Sequence, residues 1–171
     1  MESTRAEAAV IRLLEERDLP ALEWEGEYRH YRAVFRANFD DMQRGQRLLL
    51  VAVQGAQLVG QIFVQFNSAE HQYADGRFRG YLYALRVRPA WRGQGLGRRL
   101  VLAAEAGLLE RHYQTAVIAV AKTNERARRL YLRLGYHVFA DDPGVWIFTD
   151  ADGREQRVAE PAWLMEKALR G

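Results

Sequence analysis

The first helical signal in the chain is a row of large apolar side chains spaced three or four residues apart. The row consists of Tyr28, Tyr31, Phe35, Phe39 and Met42. Because this spacing follows the 3.6-residue period of an α-helix, it predicts a helix that turns one aromatic face towards the core. Before this row, Ala8–Leu13 fits either a short strand or the start of a helix, and Pro20 is expected to open a helical stretch.

Apolar runs of strand length come next. Leu48–Val53 and Leu58–Phe66 are separated by a short segment containing Gly55, which predicts a β-hairpin. The polar, glycine-containing stretch Asn67–Gly80 predicts a loop with a mobile tip. Tyr81–Val87 again has the pattern of a strand.

The second half of the chain alternates between helical and strand patterns. A glycine-rich segment, Arg92–Arg98, leads into a helix whose apolar stripe is Leu96, Leu100, Ala103, Ala104, Gly107 and Leu108. Ala116–Val120 is typical of a buried strand, and Glu125–Leu134 of a helix that ends at Gly135. Three further strand candidates are Tyr136–Phe139, Val145–Phe148 and Trp163–Lys167.

This order of elements predicts a mixed α/β fold, with a central sheet of about six to seven strands flanked by helices on both faces. One helix separates Tyr81–Val87 from Ala116–Val120, which is typical of two parallel strands joined by a crossover. Since 171 residues is the length of one domain, residues 1–171 are expected to form a single domain.

Composition narrows the classes of function. Basic residues exceed acidic ones by 25 to 22 and form no run or tail, which argues against nucleic-acid binding. The absence of cysteine excludes disulfides, thiolate nucleophiles and cysteine-ligated zinc, and no other group has metal-ligand spacing. No apolar run has the length of a signal peptide core or a membrane span. We therefore expect a cytoplasmic protein without membrane contact.

The strongest chemical signal is the glycine-rich segment. Gly93, Gly95 and Gly97 lie between a predicted strand and a helix N-terminus, with Arg92 and Arg98 on either side. Glycines let backbone N–H groups turn towards a ligand, and a helix N-terminus adds unpaired donors, so the segment predicts a phosphate site. The alternative is a tight connection that binds nothing. The glycine spacing fits neither a nucleotide P-loop nor the dinucleotide fingerprint.

Two motifs carry a resemblance to a known family. The loop has the form Arg-x-x-Gly-x-Gly, and the strand before it ends in Leu85-Arg86-Val87-Arg88-Pro89. Downstream, the pattern Asn-x-x-Ala-x-x-Leu-Tyr-x-x-x-Gly-Tyr is formed by Asn124, Ala127, Leu130, Tyr131, Gly135 and Tyr136. Residues 81–139 therefore resemble the GNAT superfamily of acyl-CoA-dependent N-acetyltransferases. The resemblance implies the GNAT fold and direct transfer of an acetyl group from acetyl-CoA (coenzyme A) to a primary amine.

The resemblance also implies roles for single residues. The pyrophosphate of coenzyme A would be held by Arg92, Gly93, Gln94, Gly95, Leu96, Gly97 and Arg98. Backbone groups of Leu85 and Val87 would pair with the pantetheine arm, and Asn124 would contact that arm or the adenosine part. Tyr131 would be the catalytic residue, a general acid that protonates the leaving thiolate. From the residues alone, the periodicity of the helix favours a core position for Tyr131, and Asn124 fits an N-cap as well as a cofactor contact.

The sequence departs from many relatives in its general base. Several GNAT enzymes carry a glutamate on the strand before the loop, whereas Tyr81–Arg88 contains no acidic residue. The base would then be water or one of Glu23, Glu25, Glu27, His30, Glu70, His71 and Glu160. The missing acid favours an alternative function, an acyl-CoA-binding sensor or interaction module without transferase activity.

The acceptor is the least specified part of this hypothesis. Trp24, Tyr28 and Tyr83 are candidates to line an acceptor pocket, because the early helices of the family form one of its walls. A small-molecule amine and a peptide amine both fit, so a protein N-terminal acetyltransferase is a further alternative. The resemblance also makes a homodimer through the C-terminal strands plausible.

Overall fold

The computed structural model describes residues 8–170. Its strands are β1 Val10–Leu13, β2 Arg47–Gln54, β3 Gln57–Gln65, β4 Arg79–Val87, β5 Thr115–Ala121, β6 His137–Asp142, β7 Val145–Thr149, β8 Glu155–Ala159 and β9 Ala162–Ala168. Its α-helices are α1 Arg32–Gln43, α2 Leu96–Glu110 and α3 Glu125–Arg133, and 3-10 helices cover Glu16–Gly26, Arg29–Tyr31 and Pro89–Trp91. No helix within residues 8–170 combines the length and the apolar character that a bilayer crossing requires.

Seven of the strands form one sheet in the order β1-β2-β3-β4-β5-β9-β6, while β7 and β8 form a separate hairpin. Every neighbouring pair in the seven-stranded sheet is antiparallel except β4 and β5, which are parallel. The exception arises because α2 carries the chain back to the starting end of the sheet before β5 begins. The predicted mixed sheet and its parallel crossover are confirmed.

Helices cover both faces of the sheet because its central strands are apolar on both sides. On one face, Leu100 of α2 and Tyr131 of α3 belong to a single buried cluster with the strands. On the other face, Phe35 of α1 and Leu22 of the first 3-10 helix pack with Phe63 of β3. The prediction of helices on both faces is therefore also confirmed.

A buried acid fixes α2 to the end of α3. Glu105 on α2 accepts hydrogen bonds from the hydroxyl of Tyr136 at 2.8 Å and from the ammonium group of Lys167 at 2.7 Å. Tyr136 follows α3 directly and Lys167 lies on β9, so this one carboxylate connects three elements. The two hydrogen bonds satisfy the buried carboxylate, and a charged group in a protein interior requires such partners.

The early part of the chain differs from its prediction in two boundaries. The 3-10 helix starts at Glu16 rather than at Pro20, because Glu15 and Asp18 form a reciprocal capping box ahead of the proline. α1 starts only at Arg32, so Tyr28 and Tyr31 precede it although they share its aromatic face. The open choice at Ala8–Leu13 resolves as strand β1, which pairs with β2.

Two further differences concern strands. Gly80, predicted in the loop, belongs to β4 and pairs with Ala116 of β5. Strand β8, Glu155–Ala159, was not predicted, because its residues are mostly polar and mostly exposed and therefore lack an apolar alternation. It is held instead by five antiparallel pairs with β7 across the turn at residues 150–153.

Gly80 offers a test of how closely α2 approaches the sheet. A Cβ atom at this position would overlap the side chain of Leu108, which is fully buried and has no room to move. We predict that Gly80→Ala lowers the free energy of unfolding by about 1–3 kcal/mol, as overpacking of a core does. Chemical denaturation measures the loss. The double variant Gly80→Ala/Leu108→Ala should lose less than the sum of the two single variants, and strict additivity would contradict the contact.

Candidate active site

The site lies where two parallel strands separate. β4 and β5 pair from Arg79 opposite Thr115 as far as Leu82 opposite Ile118, and there the pairing ends. β4 nevertheless continues to Val87 and β5 to Ala121. The two strands therefore diverge and leave a gap in the middle of the sheet. Beyond Leu82, the edge of β4 that faces this gap has no β5 partner.

A bulge in β4 accompanies the separation. In the pairing with β3, Tyr83 lies opposite Phe63 and Arg86 opposite Gln61, so two residues of β4 face the single residue Ile62. Ala84 takes up the extra length in a left-handed conformation, with φ of 55°. A bulge bends its strand and increases the local twist, which directs the rest of β4 away from β5.

The glycine-rich loop follows β4 at one end of the gap. Gly93 and Gly95 have φ of 73° and 85°, a left-handed region that favours glycine. Gly95 is the N-cap of α2 and, having no side chain, leaves the first N–H groups of the helix uncapped. A Cβ atom at Gly95 would meet nothing within 4 Å. Open backbone donors of this kind can bind a phosphate group, and phosphate binding at this loop stays a prediction.

Arginines surround this loop. Arg92 and Arg98 are both exposed, as expected of phosphate ligands. Arg92 also donates from Nε to the carbonyl oxygen of Val87 at 2.8 Å, which fixes the loop to the end of β4. The sequence analysis missed Arg126 in the first turn of α3, whose Nη2 lies 3.9 Å from the position of a Cβ on Gly93. Its position two residues after Asn124 was the available signal.

Tyr131 lies on α3, on the face of the sheet that α2 and α3 cover. It is buried, and burial raises its pKa to about 12, so the phenol is protonated at neutral pH. Burial also raises the pKa of Tyr81 on β4, and the phenols of Tyr83 and Tyr131 add to the effect. The phenol of Tyr131 is therefore near enough to Tyr81, on the strand that borders the gap, to raise the pKa of Tyr81. The core interpretation and the catalytic one are thus compatible.

Asn124 is an N-cap. Its side-chain oxygen accepts a hydrogen bond from the backbone N–H of Ala127 at 3.1 Å, so that interpretation is confirmed. The residue is also exposed at the same end of α3 as Arg126. Its contact with a bound cofactor therefore stays a prediction.

A cavity of about 560 Å³ opens on the opposite face of the sheet. Its aromatic walls are Tyr31, Phe35, Phe63, Tyr73, Tyr81, Tyr83 and Trp146. Of the three residues predicted to line an acceptor pocket, Tyr83 does so. Trp24 and Tyr28 lie outside the cavity and pack edge to face on each other at 5.2 Å. Ala119 and Ala121 of β5 also line it, so the cavity reaches the gap between the strands.

Three carboxylates line this cavity: Glu70, Asp142 and Glu160. Two of them were among the predicted bases, whereas Glu23 and Glu25 are paired with Arg32 and Arg88. Asp142 was not predicted, because no motif surrounds it and its position depends on how β6 pairs with β9. It accepts hydrogen bonds from the hydroxyl of Tyr73 and from the backbone N–H of Gly144. The carboxylates that line this cavity thus come from elements other than β4, and a role of any of them as the base stays a prediction.

Comparison with known proteins agrees with this geometry. The family profile described as "Acetyltransferase (GNAT) family" matches residues 10–136. The chain is 33% identical over 97 residues to the mycothiol acetyltransferase of Propionibacterium freudenreichii subsp. shermanii. That match covers 57% of this chain but only 30% of the relative, so the chain spans less than a third of that protein.

Several crystal structures share the fold. The ribosomal-protein-S18-alanine N-acetyltransferase from Escherichia coli superposes with a TM-score of 0.68 at 24% identity, covering 95% of this chain and 96% of that chain. The PaiA N-acetyltransferase from Thermoplasma acidophilum, in complex with coenzyme A, gives 0.70 at 18% identity over 94% and 99% of the two chains. YncA from Salmonella typhimurium, with its cofactor acetyl-CoA, gives 0.71 at 20% identity over 95% of each chain.

The glycine loop between strand and helix, and the fold, are those that the resemblance in the sequence led us to expect. The profile match extends over well more than half of the chain. The protein therefore belongs to the GNAT family of acetyltransferases, whose acetyl donor is acetyl-CoA.

Proposed function

We propose that the protein transfers an acetyl group from acetyl-CoA to a primary amine that binds in the cavity on the α1 face of the sheet. The observation that carries the proposal is the gap between β4 and β5, with the glycine loop at one end and the cavity on one face. When bound, acetyl-CoA supplies the acetyl group in activated form, as a thioester. All other requirements of the reaction fall to side chains and backbone groups of this chain.

Binding of the donor would rest on backbone groups. The N–H groups of Leu96, Gly97 and Arg98, at the uncapped start of α2, would donate to the pyrophosphate, as helix N-termini do. Gly93 and Gly95 keep this surface free of side chains, Gln94 completes the loop, and Arg92 and Arg98 add positive charge. The edge of β4 that lacks a β5 partner would hold the pantetheine arm by main-chain hydrogen bonds at Leu85 and at the N–H of Val87, whose carbonyl oxygen already accepts from Arg92.

The chemical step needs two proton transfers besides the formation of the new N–C bond. As that bond forms and the C–S bond breaks, a backbone N–H on the edge between Leu85 and Val87 would stabilise the charge on the carbonyl oxygen. The Tyr131 hydroxyl would donate its proton to the departing sulfur. Its pKa of about 12 keeps that proton on the oxygen until it is needed.

The acceptor amine must lose a proton before or during its attack, and Asp142 is the group best arranged to take it. Among the three carboxylates of the cavity, it is the one fixed by two hydrogen bonds. The ring of its partner Tyr73 stacks on Tyr81 at 5.0 Å, which connects Asp142 to the side of the cavity that borders the gap. Glu70 by contrast is exposed. A positioned base of this kind favours a transferase over a binding module.

The first prediction concerns the loop. Gly95→Ala should weaken acetyl-CoA binding by about tenfold or more, because a methyl group would project from the surface that phosphate must approach. Isothermal titration calorimetry with acetyl-CoA measures the change. Gly153→Ala is the matched control, since Gly153 has nearly the same φ, 82° against 85°, and equally open surroundings, but lies in the β7–β8 turn. Equal affinity in both variants would contradict the assignment of the loop.

The second prediction concerns the general acid. Tyr131→Phe should lower kcat by more than about tenfold while acetyl-CoA affinity stays nearly unchanged, because only the proton donor is lost. Release of free coenzyme A thiol gives the rate, and calorimetry gives the affinity. Tyr113→Phe removes a hydroxyl from another buried tyrosine, bonded to the carbonyl of Phe66, and should keep full kcat. Unchanged turnover in Tyr131→Phe would remove this residue from the mechanism.

The third prediction concerns the base. Asp142→Asn should lower turnover at neutral pH by about tenfold or more and should recover at alkaline pH, where the amine is already deprotonated. The pH dependence of kcat/KM measures this recovery. Glu70→Gln removes an exposed carboxylate from the same cavity and should leave the pH profile as in the wild type. A loss of activity that is constant across pH would show that Asp142 has a structural role instead.

A further inference from the structure

Arg86 is a partly buried cation in the wall of the acceptor cavity. It lies on β4 immediately after the bulge and lines the cavity. Its guanidinium group lies 4.1 Å from the centre of the Tyr28 ring and 5.3 Å from that of Tyr31. The two rings are stacked 6.3 Å apart and nearly parallel, so they form an aromatic support for the cation.

Within residues 8–170, Arg86 forms no salt bridge; its guanidinium is hydrogen-bonded with the Tyr28 side chain and only more distantly attracted by Glu27. Among the residues that the structure describes, no carboxylate lies within 4.0 Å of its guanidinium, and its buried Nη1 makes no hydrogen bond. Gln61, which faces it across the β3–β4 pair, does not fill this role, because its own amide oxygen is also buried without a partner. Burial lowers the pKa of Arg86, and Tyr28, Tyr31 and Glu27 offset only part of that effect.

Two neighbouring arginines, unlike Arg86, form hydrogen-bonded ion pairs with carboxylates of this chain. Arg47, on the wall of the same cavity, donates to Asp41 at 2.9 Å and to the hydroxyl of Tyr83 at 2.6 Å. Arg88, two residues after Arg86, binds both carboxylate oxygens of Glu25. Burying a charge without a partner is costly, and proteins normally avoid it. A cation without a salt bridge in a substrate cavity is therefore best explained by a partner that arrives with the substrate.

We propose that the acceptor carries a carboxylate beside its amine and that Arg86 binds this carboxylate. The inference rests on the proposed acetyl transfer to an amine. A guanidinium group presents two parallel N–H donors that match the two oxygens of a carboxylate. The carboxylates of the cavity, including Asp142, lie on elements other than β4, which carries Arg86. They would attract the ammonium group of the acceptor, while Arg86 would attract its carboxylate. Polyamines are poor acceptors, because they bring only positive charge to Arg86.

The carboxylate can come from a free amino acid or from an acidic side chain of a peptide, and the test separates the two. One arm compares alanine with alaninamide and glutamate with its diamide. The other compares Ala-Asp-amide with Ala-Asn-amide. In at least one arm, kcat/KM of the wild type should be higher for the carboxylate by about tenfold or more, mainly through a lower KM. Equal kcat/KM within every pair would overturn the proposal.

Variants of Arg86 test whether this residue causes the preference for carboxylate acceptors. Arg86→Gln should abolish the preference by raising KM for the carboxylate compound by about tenfold, while KM for the matched amide changes by less than about twofold. Arg86→Lys should restore part of the preference. Arg88→Gln, outside the cavity, is the matched control and should keep the wild-type ratio. Equal losses for carboxylate and amide in Arg86→Gln would indicate a merely structural role and would contradict the proposal.

A readout independent of turnover keeps this inference distinct from the proposed function. The measurement is the Tm in the presence of coenzyme A and a carboxylate compound. That compound is the one favoured by the wild type, or N-acetylalanine if no amine reacts. It should raise the Tm of the wild type but not that of Arg86→Gln. Failure to acetylate any amine, with this Tm shift intact, would count against the transferase and not against the carboxylate site. Absence of the shift in the wild type would overturn the carboxylate site itself.

Discussion

The loss of pairing between β4 and β5 beyond Leu82 and Ile118 is the feature on which the site depends. A parallel sheet normally satisfies every backbone group in its interior, so an open edge there demands a ligand or a change of strand direction. The left-handed Ala84 and its bulge supply that change of direction. The same departure leads β4 into the glycine loop and leaves main-chain groups available to a bound donor.

The gap also explains the distribution of chemistry over the two faces. The face covered by α2 and α3 supplies the phenol of Tyr131, which burial keeps protonated by raising its pKa to about 12. The opposite face supplies the cavity, its carboxylates and Arg86. A thioester in the gap would be approached by the amine from one face while its sulfur is protonated from the other. The β7–β8 hairpin closes this cavity with Trp146, whose ring stacks on Tyr31 at 5.7 Å.

Local sequence patterns predicted the backbone of the glycine loop and the cap of α3, but only some of the residues that line the cavity on the other face. Gly93 and Gly95 adopt left-handed backbone, which glycine tolerates best, and Asn124 caps its own helix, so the short-range sequence is sufficient to indicate both features. Asp142 and Arg86 acquire their surroundings from strand pairings between residues far apart in the chain. Strand β8 could not be predicted from the sequence for a related reason: its residues lack apolar alternation, and pairing with β7 holds the strand in place.

Acetyl transfer itself is tested most directly by release of coenzyme A thiol from acetyl-CoA, measured with a thiol reagent while amines of different classes are added one at a time. The protein contains no cysteine, so it contributes no thiol of its own. The account predicts amine-dependent thiol release together with an equal amount of N-acetylated amine, detected by mass spectrometry. Tight binding of acetyl-CoA with no amine-dependent release from any class would contradict it and would leave an acyl-CoA-binding module as the function.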